Sequence, residues 1–222
     1  MPPLFASPQG TEWIAILLSY LLGSVPFGLL LVRLVKGIDL RTVGSGNIGT
    51  ANVGRVLGRY GALTAFVFDF GKGWVPAFVL AEQLRADGAG PWLPVLCGAA
   101  AVCGHVWPIF LGFKGGKAVA TGFGALVALD PLIFVCGTTI WVLVLATTRF
   151  VGLSSMAMGV AFPVVAWLRM ESGDFGKEVV WGAAALALLI LVRHRSNLRR
   201  MMAGTEPRFG APLSTKKTEQ AG

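Results

Sequence analysis

The chain has 222 residues, of which 55% are hydrophobic and 14% charged, with mean hydropathy +0.70 and formal net charge +8. So apolar a composition excludes an ordinary soluble domain and points to an integral membrane protein. The surplus positive charge lies in the connections between apolar segments, so topology accounts for it and nucleic acid need not be invoked.

A membrane-spanning helix needs roughly 20 mostly apolar residues. In chain order the candidate spans are 13–35, 61–81, 91–110, 118–129, 131–147, 151–168 and 178–192. The stretch 118–129 is short, which fits a tilted or re-entrant segment or one fused with its neighbour; five or six spans is the alternative count. The first stretch has only Glu12 before it as a charge and no clear small-residue cleavage site, so it reads as a retained span and not a signal peptide. Gly23, Pro26 and Gly28 interrupt it, and packed neighbours can satisfy the backbone groups they free.

Charge alternates along the connections. Arg33, Lys36, Arg41, Arg55 and Arg59 crowd the first against Asp39 alone; Lys114 and Lys117 mark the third, Arg149 the fifth. Arg193, Arg195, Arg199, Arg200, Arg208, Lys216 and Lys217 follow the last span. The intervening connections carry Glu82, Arg85 and Asp87, then Asp130, then Arg169, Glu171, Asp174 and Lys177, and are neutral or acidic. This positive-inside pattern places the C-terminus in the cytoplasm and the N-terminus outside. The expected fold is therefore an all-α integral membrane protein of about seven transmembrane helices, with re-entrant or interfacial loops on the cytoplasmic side. Residues 1–204 form one multi-span domain, and the polar stretch 205–222 is expected to be a mobile cytoplasmic tail.

Several polar stretches stand out against this background. Gly44-Ser45-Gly46-Asn47-Ile48-Gly49 precedes a pattern suited to a short interfacial helix over 47–58. In that arrangement the amides of Ser45 to Asn47 would point outward at a helix N-terminus, an anion site. Arg55 could reach back as a guanidinium clamp. The alternative is a flexible glycine loop with topology-setting arginines. Phe113-Lys114-Gly115-Gly116-Lys117 lacks Walker spacing and a preceding strand. Its lysines can share a ligand if the backbone turns at Gly115-Gly116; otherwise it is a basic loop with a tight turn. Asp69 and Lys72, inside the second span, are spaced to pair with each other, either to hold the bundle or to line a site. His105 near the end of the third span is a core histidine or a site group. Ser154 and Ser155 at the start of the sixth span are caps or phosphate contacts. In Arg193-His194-Arg195-Ser196-Asn197, His194 and Asn197 share a helix face, while the arginines also suit a lipid-binding anchor. Cys97, Cys103 and Cys136 fall inside spans as small core residues, and neither a paired Cys/His spacing nor a carboxylate cluster suggests a metal site.

In order and spacing these stretches resemble the bacterial acyl-phosphate:glycerol-3-phosphate acyltransferases, the membrane PlsY family. The resemblance runs from about Gly23 to Glu206. It rests on Gly23-Ser24-Val25-Pro26-Phe27-Gly28, on Gly44 to Val53 with Arg55, and on Asp69-Phe70-Gly71-Lys72-Gly73. It continues through Gly104-His105-Val106-Trp107-Pro108, Phe113 to Lys117, Arg193 to Asn197, and Gly204-Thr205-Glu206. The family usually has glycine where this chain has Ala118, and Ala-Thr where it has Thr50-Ala51; a positive φ at 118 would disfavour alanine.

The resemblance implies transfer of a fatty acyl group from acyl phosphate to the 1-hydroxyl of glycerol 3-phosphate, giving lysophosphatidic acid and phosphate. It implies an active site facing the cytoplasm at the bacterial inner membrane. It also implies no cofactor and functional coupling to the enzyme that makes long-chain acyl phosphate. Ser45 and Arg55 would hold a phosphate, with Gly46, Asn47 and Asn52 shaping their loop. Lys114 and Lys117, with Gly115 and Gly116, would bind phosphate and stabilise the departing group. Ser155 and Ser154 would add hydroxyl contacts. His194, Asn197 and Glu206 would orient glycerol 3-phosphate, and Asp69 and Lys72 would support the site. The proton acceptor is His105, His194 or the acyl phosphate itself. No G-x-S-x-G signature points to a covalent nucleophile, so direct attack is the simpler route. A transporter or channel for phosphate or an organophosphate is the rival, and would need a polar path to the other face.

Overall fold

The computed structural model describes residues 10–86, 89–173 and 176–210. Ten α-helices dominate the regular structure of these residues: α1 (Gly10–Ser24), α2 (Phe27–Lys36), α3 (Thr50–Val75), α4 (Ala81–Ala86), α5 (Leu93–Val106), α6 (Val119–Val127), α7 (Pro131–Thr148), α8 (Val151–Glu171), α9 (Lys177–Arg193) and α10 (Arg195–Met202), with short 3-10 turns at Leu40–Thr42 and Ile109–Leu111 and a π-helical turn at Pro76–Leu80. Each of the seven apolar stretches forms helix. Five segments are long and apolar enough to cross a membrane: Gly10–Lys36, Thr50–Leu80, Leu93–Leu111, Pro131–Thr148 and Val151–Glu171. A sixth arises if α9 and α10, bent by 47° at His194, count as one. The difference from seven lies at α6, whose 9 residues are about half a bilayer crossing. The side chains of Glu82 and Arg85, and all of Asp87, Asp174, Lys216 and Lys217, lie outside the described residues.

Helix pairs meet backbone to backbone where glycine allows it. A Cβ on Gly23 of α1 would fall on the Ala101 carbonyl of α5, and one on Gly104 of α5 on the Tyr20 carbonyl of α1. Gly73 of α3 stands likewise against Thr121 of α6, and Gly124 of α6 against Phe70 of α3. Lipid leaves little hydrophobic drive between helices, so such close approach is a main source of their association. On the other side α8 packs between α7 and α9. Val106, Phe123, Ile133, Phe162 and Ile190 fill the core shared by these layers. Leu17, Leu34, Val67, Trp181 and Leu188 are exposed on the outer faces, as residues that meet lipid should be.

The break between α1 and α2 follows from Pro26, which supplies no N–H. The Val25 carbonyl at the break accepts hydrogen bonds from the Phe27 amide at 3.1 Å and from Lys72 Nζ at 2.9 Å. Lys72 is also 2.8 Å from Asp69, so the expected i, i+3 pair forms in the buried interior. The short helix expected over 47–58 begins at Thr50, and a left-handed Gly58 (φ 72) ends its straight run before the rest of α3 enters the bundle. Ala118 has φ 57 and is the N-cap of α6, so alanine occupies the left-handed conformation that the sequence placed in question.

Candidate active site

The first loop closes on itself around Asn52, a buried residue in the opening turn of α3. Asn52 Nδ2 donates to the carbonyls of Leu40 and Val43, both at 3.1 Å, and its Oδ1 accepts from the Ser45 amide at 2.9 Å. Gly44 and Gly46 have φ 59 and 69, and a Cβ at Gly44 would strike Asn52 Oδ1. Asn47 Oδ1 accepts from the Gly49 amide at 2.9 Å. Both asparagines therefore shape the loop. One expectation is corrected: the amides of Ser45 and Gly46 are spent inside the loop, the latter on the Val43 carbonyl at 3.0 Å. The Ser45 side chain stays exposed. At the mouth of the same connection Arg41 donates to Asp39 at 2.6–3.1 Å, and these bonds hold the Asp39 carboxyl at about 2.

The second loop lies over the end of α5. The Gly115 amide donates to the Val106 carbonyl at 3.1 Å and the Gly116 amide to the His105 carbonyl at 3.0 Å. A Cβ at Gly116 would enter the His105 ring. His105 is thus buried beneath the loop, with Nδ1 3.7 Å from Asp69. From the opposite side Arg193 donates to the Gly116 carbonyl at 2.9 and 3.1 Å and to the Gly115 carbonyl at 3.1 Å. Beyond the glycines Lys117 Nζ donates to Asn197 Oδ1. Burial, with the nearby charge of Arg200, pulls the Lys117 ammonium down to about 8; Arg55 and Arg193 act in the same sense and Glu206 opposes them. Lys114 is exposed and makes no side-chain hydrogen bond or ion pair among the described residues. The two lysines of one motif therefore differ: one is bound into the fold and the other is free to meet a ligand.

The turn between α9 and α10 supplies the remaining groups. His194 is buried at the bend, and its Nδ1 lies 2.8 Å from the Ile190 carbonyl. A carbonyl only accepts, so in the neutral ring this contact places the proton on Nδ1 and leaves a lone pair on Nε2. Asn197 Nδ2 donates to Glu206 Oε1 at 2.6 Å, and Arg200 Nε to Glu206 Oε2 at 2.6 Å. Both carboxylate oxygens of Glu206 are thus engaged by the protein. The segment after α10, placed by sequence in the tail, folds back as far as it is described. The Phe209 amide donates to the Arg149 carbonyl at 2.7 Å, and Arg149 Nη2 to the Phe209 carbonyl at 2.9 Å. Residues 211–222 lie outside the described residues.

Ser154 and Ser155 are buried in the second turn of α8, whose N-cap is Phe150, so neither is a cap. Their hydroxyls donate to the Phe150 and Val151 carbonyls at 3.0 and 2.9 Å, and Ser155 Oγ also accepts from Trp141 Nε1 at 3.4 Å. Each keeps acceptor capacity, but donation to a ligand would require rotation away from the helix carbonyl.

Arg55, Arg193, Arg200 and Glu206 all act on Lys117 through their charges, and Arg55 in turn senses Glu206 and Arg200. The first loop's arginine, the glycine–lysine loop and the α9–α10 bend thus converge on one basic, half-buried site. Sequence reading passed over Arg193 and Arg200 because both belonged to a basic run already explained by topology. It also missed Gly152, where a Cβ would come within 2.9–3.0 Å of the Asn197 side chain. No residue-type signal marks that glycine; only the packing of α8 against α10 does.

Such a basic site suits a phosphorylated substrate, and comparison with known proteins agrees. The family model for glycerol-3-phosphate acyltransferase matches residues 13–204. A glycerol-3-phosphate acyltransferase of Synechococcus sp. (strain CC9902) is 45% identical over 87% of this chain and 92% of its own length. That of Aquifex aeolicus (strain VF5) is 37% identical over 87% of this chain and 97% of its own. The crystal structure of PlsY, an integral membrane glycerol 3-phosphate acyltransferase, in its glycerol 3-phosphate form superimposes with a TM-score of 0.82 at 36% identity, covering 90% of this chain and 96% of that one. Its lysophosphatidic acid form gives 0.80 at 34% identity over the same shares. With the sequence model, the near full-length relatives and the helical fold in agreement, this chain belongs to the glycerol-3-phosphate acyltransferase family.

Proposed function

We propose that this multi-pass membrane protein transfers the acyl group of a long-chain acyl phosphate to the 1-hydroxyl of glycerol 3-phosphate. The observation that carries the reading is the junction of Lys117 with Asn197, which sets the glycine–lysine loop beside the α9–α10 bend that carries His194, within reach of the Arg55 charge. The hydroxyl oxygen attacks the acyl carbonyl carbon, an ester C–O bond forms, and the anhydride C–O bond breaks. The bonding pair leaves with inorganic phosphate. The hydroxyl proton passes to His194 Nε2 or to the departing phosphate. Lys114 and Lys117 stabilise negative charge on that group, and Arg55 with Ser45 holds a substrate phosphate. Substrate positioning in a half-buried site supplies much of the acceleration. The acyl phosphate is already activated, so neither a covalent enzyme intermediate nor a cofactor is needed. The family assignment removes the transporter alternative.

The basic connections support a site on the cytoplasmic face of the bacterial inner membrane, where soluble glycerol 3-phosphate and a membrane-dissolved acyl donor would meet. The enzyme that makes acyl phosphate would feed it through the same membrane. The test is phosphate release from purified protein with palmitoyl phosphate and glycerol 3-phosphate, each omitted in turn. Release that needs both, with lysophosphatidic acid as co-product, is the expected result. Release without glycerol 3-phosphate would mean hydrolysis and would overturn the reading.

A further inference from the structure

Arg193 stands at the last position of α9, on the membrane side of His194, and its half-buried guanidinium faces the glycine–lysine loop. It makes the hydrogen bonds to the Gly115 and Gly116 carbonyls described above, a fork that grips two successive peptide groups. The amides of the same two glycines are fastened from the other side by His105 and Val106. Neither glycine tolerates a side chain: a Cβ at Gly115 would strike the His105 carbonyl, and one at Gly116 the His105 ring. The two glycines are therefore held between α5 and α9 with their backbone donors and acceptors consumed. A ligand thus meets the side chains that flank them, the free Lys114 and the Asn197-bound Lys117.

We propose that Arg193 is a positioning residue for phosphate binding: its guanidinium clamps the Gly115–Gly116 peptides so that Lys114 and Lys117 are presented to a substrate phosphate, and it makes no contact with the substrate itself. The proposal rests on the functional reading above and adds a residue to it. A planar fork suits the task, because one rigid group reaches both carbonyls, whereas the lysine ammonium is a point charge on a flexible stem. Arg193 also adds positive charge beside Lys117 without touching it, together with Arg55 of α3 and Arg200 of α10 and against Glu206 of the returning segment, while His194 adjoins the same lysine.

The test compares wild type with Arg193→Ala and Arg193→Lys in detergent. Inorganic phosphate binding is followed by calorimetry, and turnover with palmitoyl phosphate and glycerol 3-phosphate in parallel. Arg193→Ala should weaken phosphate binding and raise KM for one phosphate substrate by at least about tenfold, with kcat within about threefold, because positioning of the bound group is what it removes. Arg193→Lys should recover part of the loss. The alkaline limb of kcat/KM should move to higher pH in Arg193→Ala and stay in place in Arg193→Lys, because only alanine removes the charge beside Lys117. A purely structural arginine would lower thermal stability without changing phosphate affinity or the KM-against-kcat split. Unchanged phosphate affinity and KM in Arg193→Ala, a limb that does not move, or a wild type that binds no phosphate would overturn the clamp. A wild type that binds phosphate yet makes no lysophosphatidic acid would overturn the functional reading instead, and the clamp would still be judged by calorimetry.

Discussion

Lys117 donates a hydrogen bond to Asn197, 80 residues further along the chain, and Asn197 donates in turn to Glu206. One amide side chain thus joins the loop after α5 to the bend after α9 and to the segment beyond α10. Its oxygen and nitrogen face partners of opposite chemistry, so no apolar residue of the same shape can replace it. Asn197→Leu should lower turnover by about a hundredfold or more and cost about 1–3 kcal/mol of stability, because Glu206 Oε1 and Lys117 both lose a partner in a buried setting. Steady-state kinetics with thermal unfolding in the same detergent checks both; turnover within a factor of two would contradict the arrangement.

The Lys117 ammonium, lowered to about 8 by burial and the Arg200 charge, should leave a pH signature. Below that value the lysine is charged and attracts phosphate; above it the neutral form prevails and the attraction is lost. Affinity for the phosphate substrate should therefore hold up to about pH 8 and fall as pH rises, and kcat/KM should show an alkaline limb there. By linkage, phosphate bound above pH 8 should carry protons onto the protein. Calorimetry in buffers of different ionisation enthalpy measures that uptake.

Asp69 and Lys72 form a buried ion pair beneath the site, and Lys72 also caps the Val25 carbonyl at the α1–α2 break. Removing one partner strands a charge away from water. Lys72→Met should lower stability by about 3–5 kcal/mol, and the double variant Asp69→Leu/Lys72→Met should recover part of that loss. Thermal unfolding of both variants checks the order. A single variant no less stable than the double would show that the charges do not depend on each other.

Two glycines of neighbouring motifs should behave in opposite ways. Gly116→Ala drives a methyl group into the His105 ring, so the loop must shift and KM for a phosphate substrate should rise by about tenfold or more. Gly71 in α3 has nothing within 4 Å of the place a Cβ would occupy. Gly71→Ala should keep full activity and raise stability by up to about 1 kcal/mol through the restricted unfolded chain. Equal effects of the two substitutions would mean that backbone freedom, not the space at His105, governs the loop.

Sequence by itself determined the class of the fold and most of the motif residues. Hydropathy and the roughly 20-residue length of a bilayer crossing marked out the apolar helical stretches, though not the polar α10, because in lipid every backbone amide must bond within its own segment. The i, i+3 spacing of Asp69 and Lys72 forecast their pairing because a helix turn is local. Distance in space was not legible. The 9-residue α6, the spending of the Ser45 amide on Asn52, the different fates of Lys114 and Lys117, and the grip of Arg193 on Gly115 and Gly116 all depend on which surfaces the packed helices bring together. An arginine near a membrane reads the same whether it sets topology or holds a loop, since both uses need only a positive charge. The tertiary structure decides between them because a hydrogen bond requires a donor within about 3 Å of its acceptor, and residues 77 or 78 positions apart in the chain, such as Arg193 and its two glycines, meet that distance only after the helices have packed.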